Sequence, residues 1–197
     1  SIGFGLSFFL DPLIVSLLVV ASIAVITGIH HLDGLADFAD GLMTRGTKEK
    51  KRKAMKDLST GSAGITSIVL YVVGAIIALS LTSGYELFQA ILLSEILAKF
   101  SMVLMASIGN SAAVGSNSPF TQIMKDKRRL AVASVITIIP LVVMGGTIGL
   151  ILFGASIAVT LFLIGLSTRS FGGITGDVMG ATNELTRLSS LLIFVSL

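Results

Sequence analysis

Long apolar stretches separated by short polar segments dominate this sequence. The longest have about 20 residues, the length that a helix needs to cross about 30 Å of hydrocarbon. An opening apolar stretch ends at the Asp11-Pro12 turn, and Pro12 suits the first turn of the next helix. We therefore predict an all-α, polytopic membrane bundle of about six to seven transmembrane helices with an interfacial acidic helix. The predicted spans are the tail of a first helix at 1–10, then 12–31, 63–82, 86–107, 130–144, 148–167 and a last span from about 185.

Apart from Lys99, the Lys and Arg residues lie in or beside alternate polar segments. Turns near Asp11, Ser83-Gly84 and Gly145-Gly146 contain none, whereas the basic residues cluster in RGTKEKKRKAMKD at 45–57, in KDKRR at 125–129 and beside a segment bracketed by Arg169 and Arg187. The positive-inside rule then places residues 31–62, 108–129 and 168–184 on the cytoplasmic side of the cell membrane. For the basic run at 48–56 we favour a role in orientation against anionic headgroups over phosphate binding.

The composition supports a membrane protein. Hydrophobic residues make up 53% and charged residues 13% of the 197 positions, and the mean hydropathy is +0.96. Cysteine is absent, which excludes disulfides, thiolate metal sites and cysteine nucleophiles. Basic residues are not interleaved with aromatic ones, so the lipid bilayer rather than nucleic acid is the expected environment. We predict one transmembrane domain over 1–197, missing N-terminal residues of the intact protein because Ser1 stands inside an apolar stretch.

An acidic stripe follows the second span. Asp33, Asp37 and Asp40 are spaced i, i+4 and i+7, so a helix would place all three carboxylates on one face. Three anions near a bilayer need a positive partner, and oxygen ligands suit Mg²⁺, which commonly takes one or two carboxylates plus substrate phosphates. We therefore predict a metal site there rather than three water-facing aspartates. Of the adjacent histidines, His31 is a candidate to contact phosphate, although an interfacial role is equally compatible.

Two further segments have the composition of binding sites. In MKDLSTGSAG, at 55–64, Asp57 precedes Gly61, Ser62 and Gly64, and main-chain N–H groups at the start of the next span could bind an anion. In FGGITGDVMGATNELTR, at 171–187, a helix would align the two carboxylates, which are seven residues apart. We interpret this segment as the second half of one site, with its candidate residues at Gly176, Asp177, Gly180, Asn183 and Glu184.

Glu95 and Lys99 lie four residues apart inside an apolar span. This spacing favours an ion pair on one helix. The pair either neutralises itself or borders a substrate cavity, and the sequence does not separate these two interpretations.

Three motifs in this order resemble one family. HLDGLADFADGL, MKDLSTGSAG and GGITGDVMGATNEL are similar to the motifs of adenosylcobinamide-GDP ribazoletransferases, the cobalamin (5′-phosphate) synthases, and the resemblance spans roughly residues 12–195. It implies a polytopic, Mg²⁺-dependent membrane enzyme that joins α-ribazole or its 5′-phosphate to adenosylcobinamide-GDP and releases GMP, so that residues 1–197 form a catalytic domain. One departure is Lys99 in SEILAK, where an arginine is expected; lysine keeps the charge but loses bidentate phosphate recognition.

The resemblance assigns roles to the candidate residues. We expect Asp33, Asp37 and Asp40 to hold one or two Mg²⁺ ions against the diphosphate. A carboxylate is expected to accept the proton of the attacking ribazole hydroxyl, with Asp40, Asp57 and Asp177 as candidates. Substrate-binding positions are expected at His31, Gly61, Ser62, Gly64, Lys99, Gly176, Asp177, Asn183 and Glu184. The oligomeric state is open between a monomer and a homo-oligomer.

Two other functions remain alternatives. A CDP-alcohol phosphotransferase of phospholipid synthesis shares an aspartate-rich stripe, but Asp37 stands where that signature has arginine. A divalent-cation transporter would also need carboxylates, although here they cluster near one membrane surface rather than at the midplane.

Overall fold

The computed structural model describes residues 2–112 and 119–197, and these are helical with short connections. No β-strand occurs in those two ranges; a single parallel bridge joins Ser111 to Ile174. The helices are α1 (Ile2–Leu6), α2 (Pro12–Ile26), α3 (His30–Met43), α4 (Lys48–Ala54), α5 (Ser62–Ser80), α6 (Gly84–Ile108), α7 (Pro119–Met124), α8 (Lys127–Phe171) and α9 (Gly176–Phe194). The predicted all-α class is confirmed.

Several helices are suited to crossing a membrane. In the described part of the chain, α5, α6 and α8 are long and apolar enough, and α2 with α3 would add a fourth crossing if that bent pair counts as one. The bend between α2 and α3 is 89°, and it follows from left-handed backbone at Gly28 and Ile29. The acidic helix α3 therefore turns sharply away from the apolar helix that precedes it.

Helix α8 contains two predicted spans in one 45-residue element. Its backbone leaves the helical conformation at Gly146, where φ is 54°, a value that glycine adopts without steric cost. A methyl group on Gly149 would lie 2.0 Å from the carbonyl oxygen of Leu141, although eight helical residues would normally separate two positions by about 12 Å. The two arms of α8 therefore pack against each other beside the break.

Helix α9 lies at the centre of the bundle and corrects the prediction for the third polar segment. It contacts α3, α5, α6 and α8. We expected a cytoplasmic-side segment at 168–184 followed by a span from about 185. Instead α8 continues to Phe171 and α9 begins at Gly176, because the polar residues of α9 bond to other side chains inside the bundle instead of water.

The basic segments gather at one end of the bundle. Arg52 of α4 donates to the carbonyl oxygens of Phe171 and Ala112, which joins α4 to the ends of α8 and α6. The opposite end is formed by the α5–α6 turn, the break in α8 and the end of α9, which line one cavity there with Thr82, Gly145 and Phe194. This separation agrees with the alternating charge pattern of the sequence.

Candidate functional site

Helices α3 and α9 cross at two glycines, and this crossing brings the acidic stripe to the third motif. A methyl group on Gly34 would lie 3.0 Å from the carbonyl oxygen of Asp177 and 3.3 Å from the Cα of Gly180. A methyl group on Gly180 would lie 3.3 Å from the carbonyl oxygen of His31. Small residues allow helices to approach this closely. The two segments that the sequence interpretation requires to converge are therefore in direct contact.

Three carboxylates face one another beside this crossing. Burial, together with the neighbouring charges of Asp33, Asp177 and Asp40, raises the pKa of Asp37 to about 6. Burial also raises the pKa of Asp177, against hydrogen bonds from its own backbone and from Thr175, and Asp33 adds to the increase. None of the ion pairs in the described residues involves these three aspartates. The group therefore holds mutual repulsion that a cation would relieve.

Asp40 has a different environment. Its two carboxylate oxygens accept the N–H groups of Gly61, at 2.7 Å, and Gly64, at 2.8 Å. A methyl group on either glycine would lie 2.5 Å from an oxygen of Asp40. Asp40 thus links α3 to the N-terminus of α5. The close approach of its carboxylate accounts for glycine at positions 61 and 64, so no bound ligand is needed to explain these two residues. The anion that the α5 N-terminus binds here is a side chain of the protein itself.

A cavity of about 460 Å³ adjoins Asp177. Its lining includes Arg52 and Lys53 of α4, Lys56 just after that helix, and Gly176 with Asp177 of α9. Lys56 lowers the pKa of Asp177 electrostatically, although burial outweighs this effect. The size lies within the range of small-molecule sites. The basic run at 48–56, which we interpret from the sequence mainly as an orientation signal, therefore supplies three cationic residues to a cavity that also contains the carboxylates of Glu49 and Asp177.

The basic helix is held in place by specific contacts. Met55 is buried, and a methyl group on Gly41 of α3 would lie 2.3 Å from its side chain. Lys51 donates to the carbonyl oxygen of Leu42 at 2.8 Å. Arg52 donates at 2.6 Å to Phe171. Lys53 and Lys56 remain exposed at the cavity.

Two further candidates lie outside the lining of this cavity. Asp57 is exposed, and one of its oxygens accepts the N–H of Ser59 at 3.0 Å, which closes a turn after α4. Ser62 is exposed at the first position of α5. The structure thus brings Asp177 to the cavity but not Asp57.

A second charged cluster is buried in the middle of the bundle. Arg187, only 2% exposed, donates to both oxygens of Glu95, to Glu184 and to the hydroxyl of Tyr71. This cluster joins α5, α6 and α9. Hydropathy does not indicate this cluster, because Arg187 stands at the edge of a polar segment in the sequence. Its spacing of three residues after Glu184 on a helix was the signal that could have revealed the pair.

Of the two interpretations left open for Glu95 and Lys99, the structure excludes the self-neutralising pair. Glu95 binds Arg187 instead, while Lys99 donates to the side-chain oxygen of Asn183 at 2.9 Å. Asn183 in turn donates to Glu184 at 3.0 Å. The partners of Glu95 and Lys99, Arg187 and Asn183, both lie on α9. The sequence of α6 alone therefore could not indicate them.

His31 lies between the two clusters. Its Nδ1 atom is 3.9 Å from Glu184, is buried, and has no hydrogen-bond partner. Burial lowers the pKa of His31, and the charge of Lys99 acts in the same direction. The neighbouring His30 is exposed. Of the two histidines, only His31 contacts the polar interior.

Within residues 2–112 and 119–197 the side chains of His, Cys, Asp and Glu form no preassembled group of three or more that could hold a metal ion. A Mg²⁺ site of one or two carboxylates completed by substrate phosphates does not need such a group. The donor chemistry of the aspartates facing Asp37 fits that kind of site.

Comparison with known proteins gives a consistent result. Residues 1–195 match a family described as cobalamin-5-phosphate synthase. An adenosylcobinamide-GDP ribazoletransferase of Pyrococcus abyssi is 37% identical over 182 residues, covering 90% of this chain and 75% of that protein. Proteins of the same name from Methanocella arvoryzae (37% over 196 residues; 89% and 72% covered) and Methanococcoides burtonii (33% over 197 residues; 94% and 72% covered) are also similar. No solved structure matches.

Proposed function

The chain belongs to the cobalamin-5-phosphate synthase family, and we propose from this membership that it joins α-ribazole, or its 5′-phosphate, to adenosylcobinamide-GDP and releases GMP. A role in cobalamin synthesis follows from the family itself. The similar proteins are named as transferases that act on these two substrates. The finer statements below rest on the geometry of this chain.

The proposed location of the reaction is supported by the cavity between α4 and α9. A nucleotide diphosphate is strongly anionic, and Lys53 and Lys56 present ammonium groups to this cavity. The N-terminus of α9, at Gly176, adds the positive end of a helix dipole. We place the diphosphate of the nucleotide substrate here, with its charge facing the basic helix.

Asp177 lines this cavity and interacts electrostatically with Asp33 and Asp37 of α3, so a cation between these carboxylates and the phosphates would balance their charge. Asp33 and Asp37 would hold Mg²⁺, because their oxygens are close enough to Asp177 and to each other for mutual electrostatic effects. When bound, Mg²⁺ neutralises phosphate charge and stabilises the leaving GMP. Asp40 is assigned a positioning role, because its oxygens already accept two main-chain N–H groups.

Asp177 is the favoured proton acceptor among the three candidates. It lines the cavity, whereas Asp57 is exposed elsewhere and Asp40 caps α5. A pKa raised by burial strengthens a carboxylate as a base. The ribazole hydroxyl transfers its proton to Asp177, and the hydroxyl oxygen forms a bond to the cobinamide-side phosphorus. The bond from that phosphorus to the oxygen of the guanosine phosphate breaks, and GMP departs.

The test of the function is GMP release by the full chain in lipid vesicles. We expect release only when adenosylcobinamide-GDP, α-ribazole and Mg²⁺ are all present, and none after chelation. Replacing Lys53 and Lys56 by Gln should raise the KM for adenosylcobinamide-GDP up to about fivefold per lysine, as expected for exposed charges. Lys50→Gln, on the same helix outside the cavity lining, serves as the matched control. An equal effect of Lys50→Gln would place the diphosphate elsewhere.

The same assay separates the alternatives. A CDP-alcohol phosphotransferase would release CMP from a CDP-alcohol, and a transporter would accumulate labelled Mg²⁺ in vesicles without releasing a nucleotide. No feature of the described residues favours either of these over the transferase.

We also propose that the basic end of the bundle faces the cytoplasm across the cell membrane. The natural sequence has no cysteine, so single-cysteine variants report orientation directly. A thiol at position 50 should react only with reagent on the cytoplasmic side, and one at position 83 only from outside. The reverse labelling pattern would overturn the orientation.

A further inference from the structure

A concave notch lies between α6, α7 and the start of α8, apart from the cavity beside Asp177. Its volume is about 370 Å³, comparable to small-molecule sites. Arg128 and Arg129 stand at the basic entrance, and the walls are apolar. Besides the two arginines, the notch is lined by Val103 of α6, Met124 of α7, and Val132, Ala133 and Ile136 of α8.

The positions of Arg128 and Arg129 do not stabilise α8. They occupy the first turn of α8, which contains no acidic residue, and cations at a helix N-terminus oppose the helix dipole. Arg129 is 4.0 Å from Asp126, and both side chains are about half exposed, so this contact contributes little. Their charge is therefore available to an anion outside the protein.

An apolar stripe continues from the two arginines along α8. Arg128 and Arg129 lie one turn before Val132, and the stripe follows at i, i+3, i+4, i+7 and i+11 from that residue. Each of its members is at least 57% exposed: Val132, Val135, Ile136, Ile139 and Val143. From Arg129 to Val143 the helix rises about 21 Å, more than half of the roughly 30 Å hydrocarbon core. Lys127 lies on the opposite face of α8.

We propose that this notch binds one phospholipid with an anionic headgroup. The headgroup phosphate accepts hydrogen bonds from Arg128 and Arg129, and an acyl chain lies along the stripe toward Val143. Basic pockets between transmembrane helices bind anionic lipids by the same combination of charge and apolar wall. This proposal does not depend on the reaction proposed for the chain.

Lipid retention in mixed vesicles tests the proposal. The full chain is reconstituted in phosphatidylcholine with a minor fraction of phosphatidylglycerol, extracted, and its retained lipid measured by native mass spectrometry. We expect one retained phosphatidylglycerol per chain. In the double variant Arg128→Gln, Arg129→Gln, the preference for phosphatidylglycerol over phosphatidylcholine should fall about 25-fold, because each lost charge should lower it roughly fivefold. The double variant Lys125→Gln, Lys127→Gln removes the same charge outside the notch and should keep the preference.

Two further arms keep the outcome decisive. Arg128→Lys with Arg129→Lys should restore most of the preference if charge at these positions matters, whereas a fold defect would not be rescued. Saturating glycerol phosphate should not displace the lipid, because it lacks the chain that the stripe binds. Equal loss in the lysine control, equal retention of phosphatidylcholine, or displacement by glycerol phosphate would each overturn the proposal.

Discussion

Asp177 and Glu184 lie seven residues apart on α9, and they differ in almost every physical respect. Glu184 is 2% exposed and bonds to Arg187 and Asn183, so its charge is balanced inside the bundle. Asp177 lines an open cavity, and its pKa is raised mainly by burial, with a smaller contribution from Asp33. The paired cluster around Arg187 holds helices together, whereas the acids beside Asp37 form no ion pair within the described residues and repel one another.

This difference teaches how to assign acidic residues in a bundle of this kind. Intramembrane charges are costly unless they are paired or face water, and both solutions occur here. A buried pair is expensive to break, because the surviving partner remains charged and without a counter-ion. An open acidic group can lose a charge without harm to the fold. Stability and activity should therefore respond oppositely at the two regions.

The largest expected effect is on activity at Asp177. Asp177→Asn should reduce turnover by about 10²–10⁴-fold, the usual contribution of a general base. Its unfolding temperature should stay unchanged or rise, because a repelling charge is removed. GMP release and thermal unfolding in detergent measure the two quantities. A loss of stability with residual activity would reverse the assignment.

The buried cluster should show the opposite result. Arg187→Met leaves Glu184 and Glu95 without their cation, so we expect a loss of about 3–5 kcal/mol in the free energy of unfolding. Arg169→Met, at an exposed arginine of α8, is the matched control and should change stability little. Denaturant or thermal unfolding of the two variants decides the outcome. Equal stabilities would show that the cluster is not a structural clamp.

The crossing of α3 and α9, which brings the acidic stripe to Asp177, can be loosened at Gly34. Gly34→Ala places a methyl group 3.0 Å from the backbone of Asp177, and overpacking of this kind costs about 1–3 kcal/mol. It should also reduce GMP release by separating Asp177 from Asp33 and Asp37. Gly154→Ala, where nothing lies within 4 Å, should instead stabilise α8 by about 0.5–1 kcal/mol. Equal changes in the free energy of unfolding of Gly34→Ala and Gly154→Ala would contradict the close crossing of α3 and α9.

The smallest effect is the pH dependence of the unpaired acids. Because the folded-state pKa of Asp37 is raised to about 6 from 3.8, its protonated form is favoured by folding. Its contribution to stability is complete below the unfolded pKa and is lost as the pH rises through about 6. Since Asp37 is only partly buried and water screens its charge, we expect a loss of at most about 1 kcal/mol.

Unfolding temperatures between pH 5 and pH 7, in the presence of a chelator, measure this dependence. Wild type should become less stable toward pH 7, and Asp37→Asn should show a weaker trend. Added Mg²⁺ should reduce the wild-type trend by stabilising the ionised carboxylates. An unchanged slope in Asp37→Asn would assign the titration to another group.

Much of the fold was predictable because apolar runs of membrane length leave few alternatives to helices. The helix class, the paired spans on either side of Gly146 and the acidic helix all follow from local patterns. The start of α9 was not predictable by hydropathy, since Asn183, Glu184 and Arg187 resemble a solvated loop in composition. Their burial depends on partners from α5 and α6, which lie about 90 to 115 positions away along the chain.

The amino-acid sequence by itself determined that the chain forms apolar helices, that its basic residues alternate along the chain, and which aspartates share one helical face. These are consequences of length, hydrophobicity and the 3.6-residue period. Only the tertiary structure decided which charge meets which partner. It assigned Asp40 to the glycine amides of α5, Glu95 to Arg187 rather than Lys99, and the basic helix to the cavity beside Asp177. Ion pairing falls off within a few ångströms, so it depends on helix crossings such as Gly34 with Gly180, which no local spacing specifies.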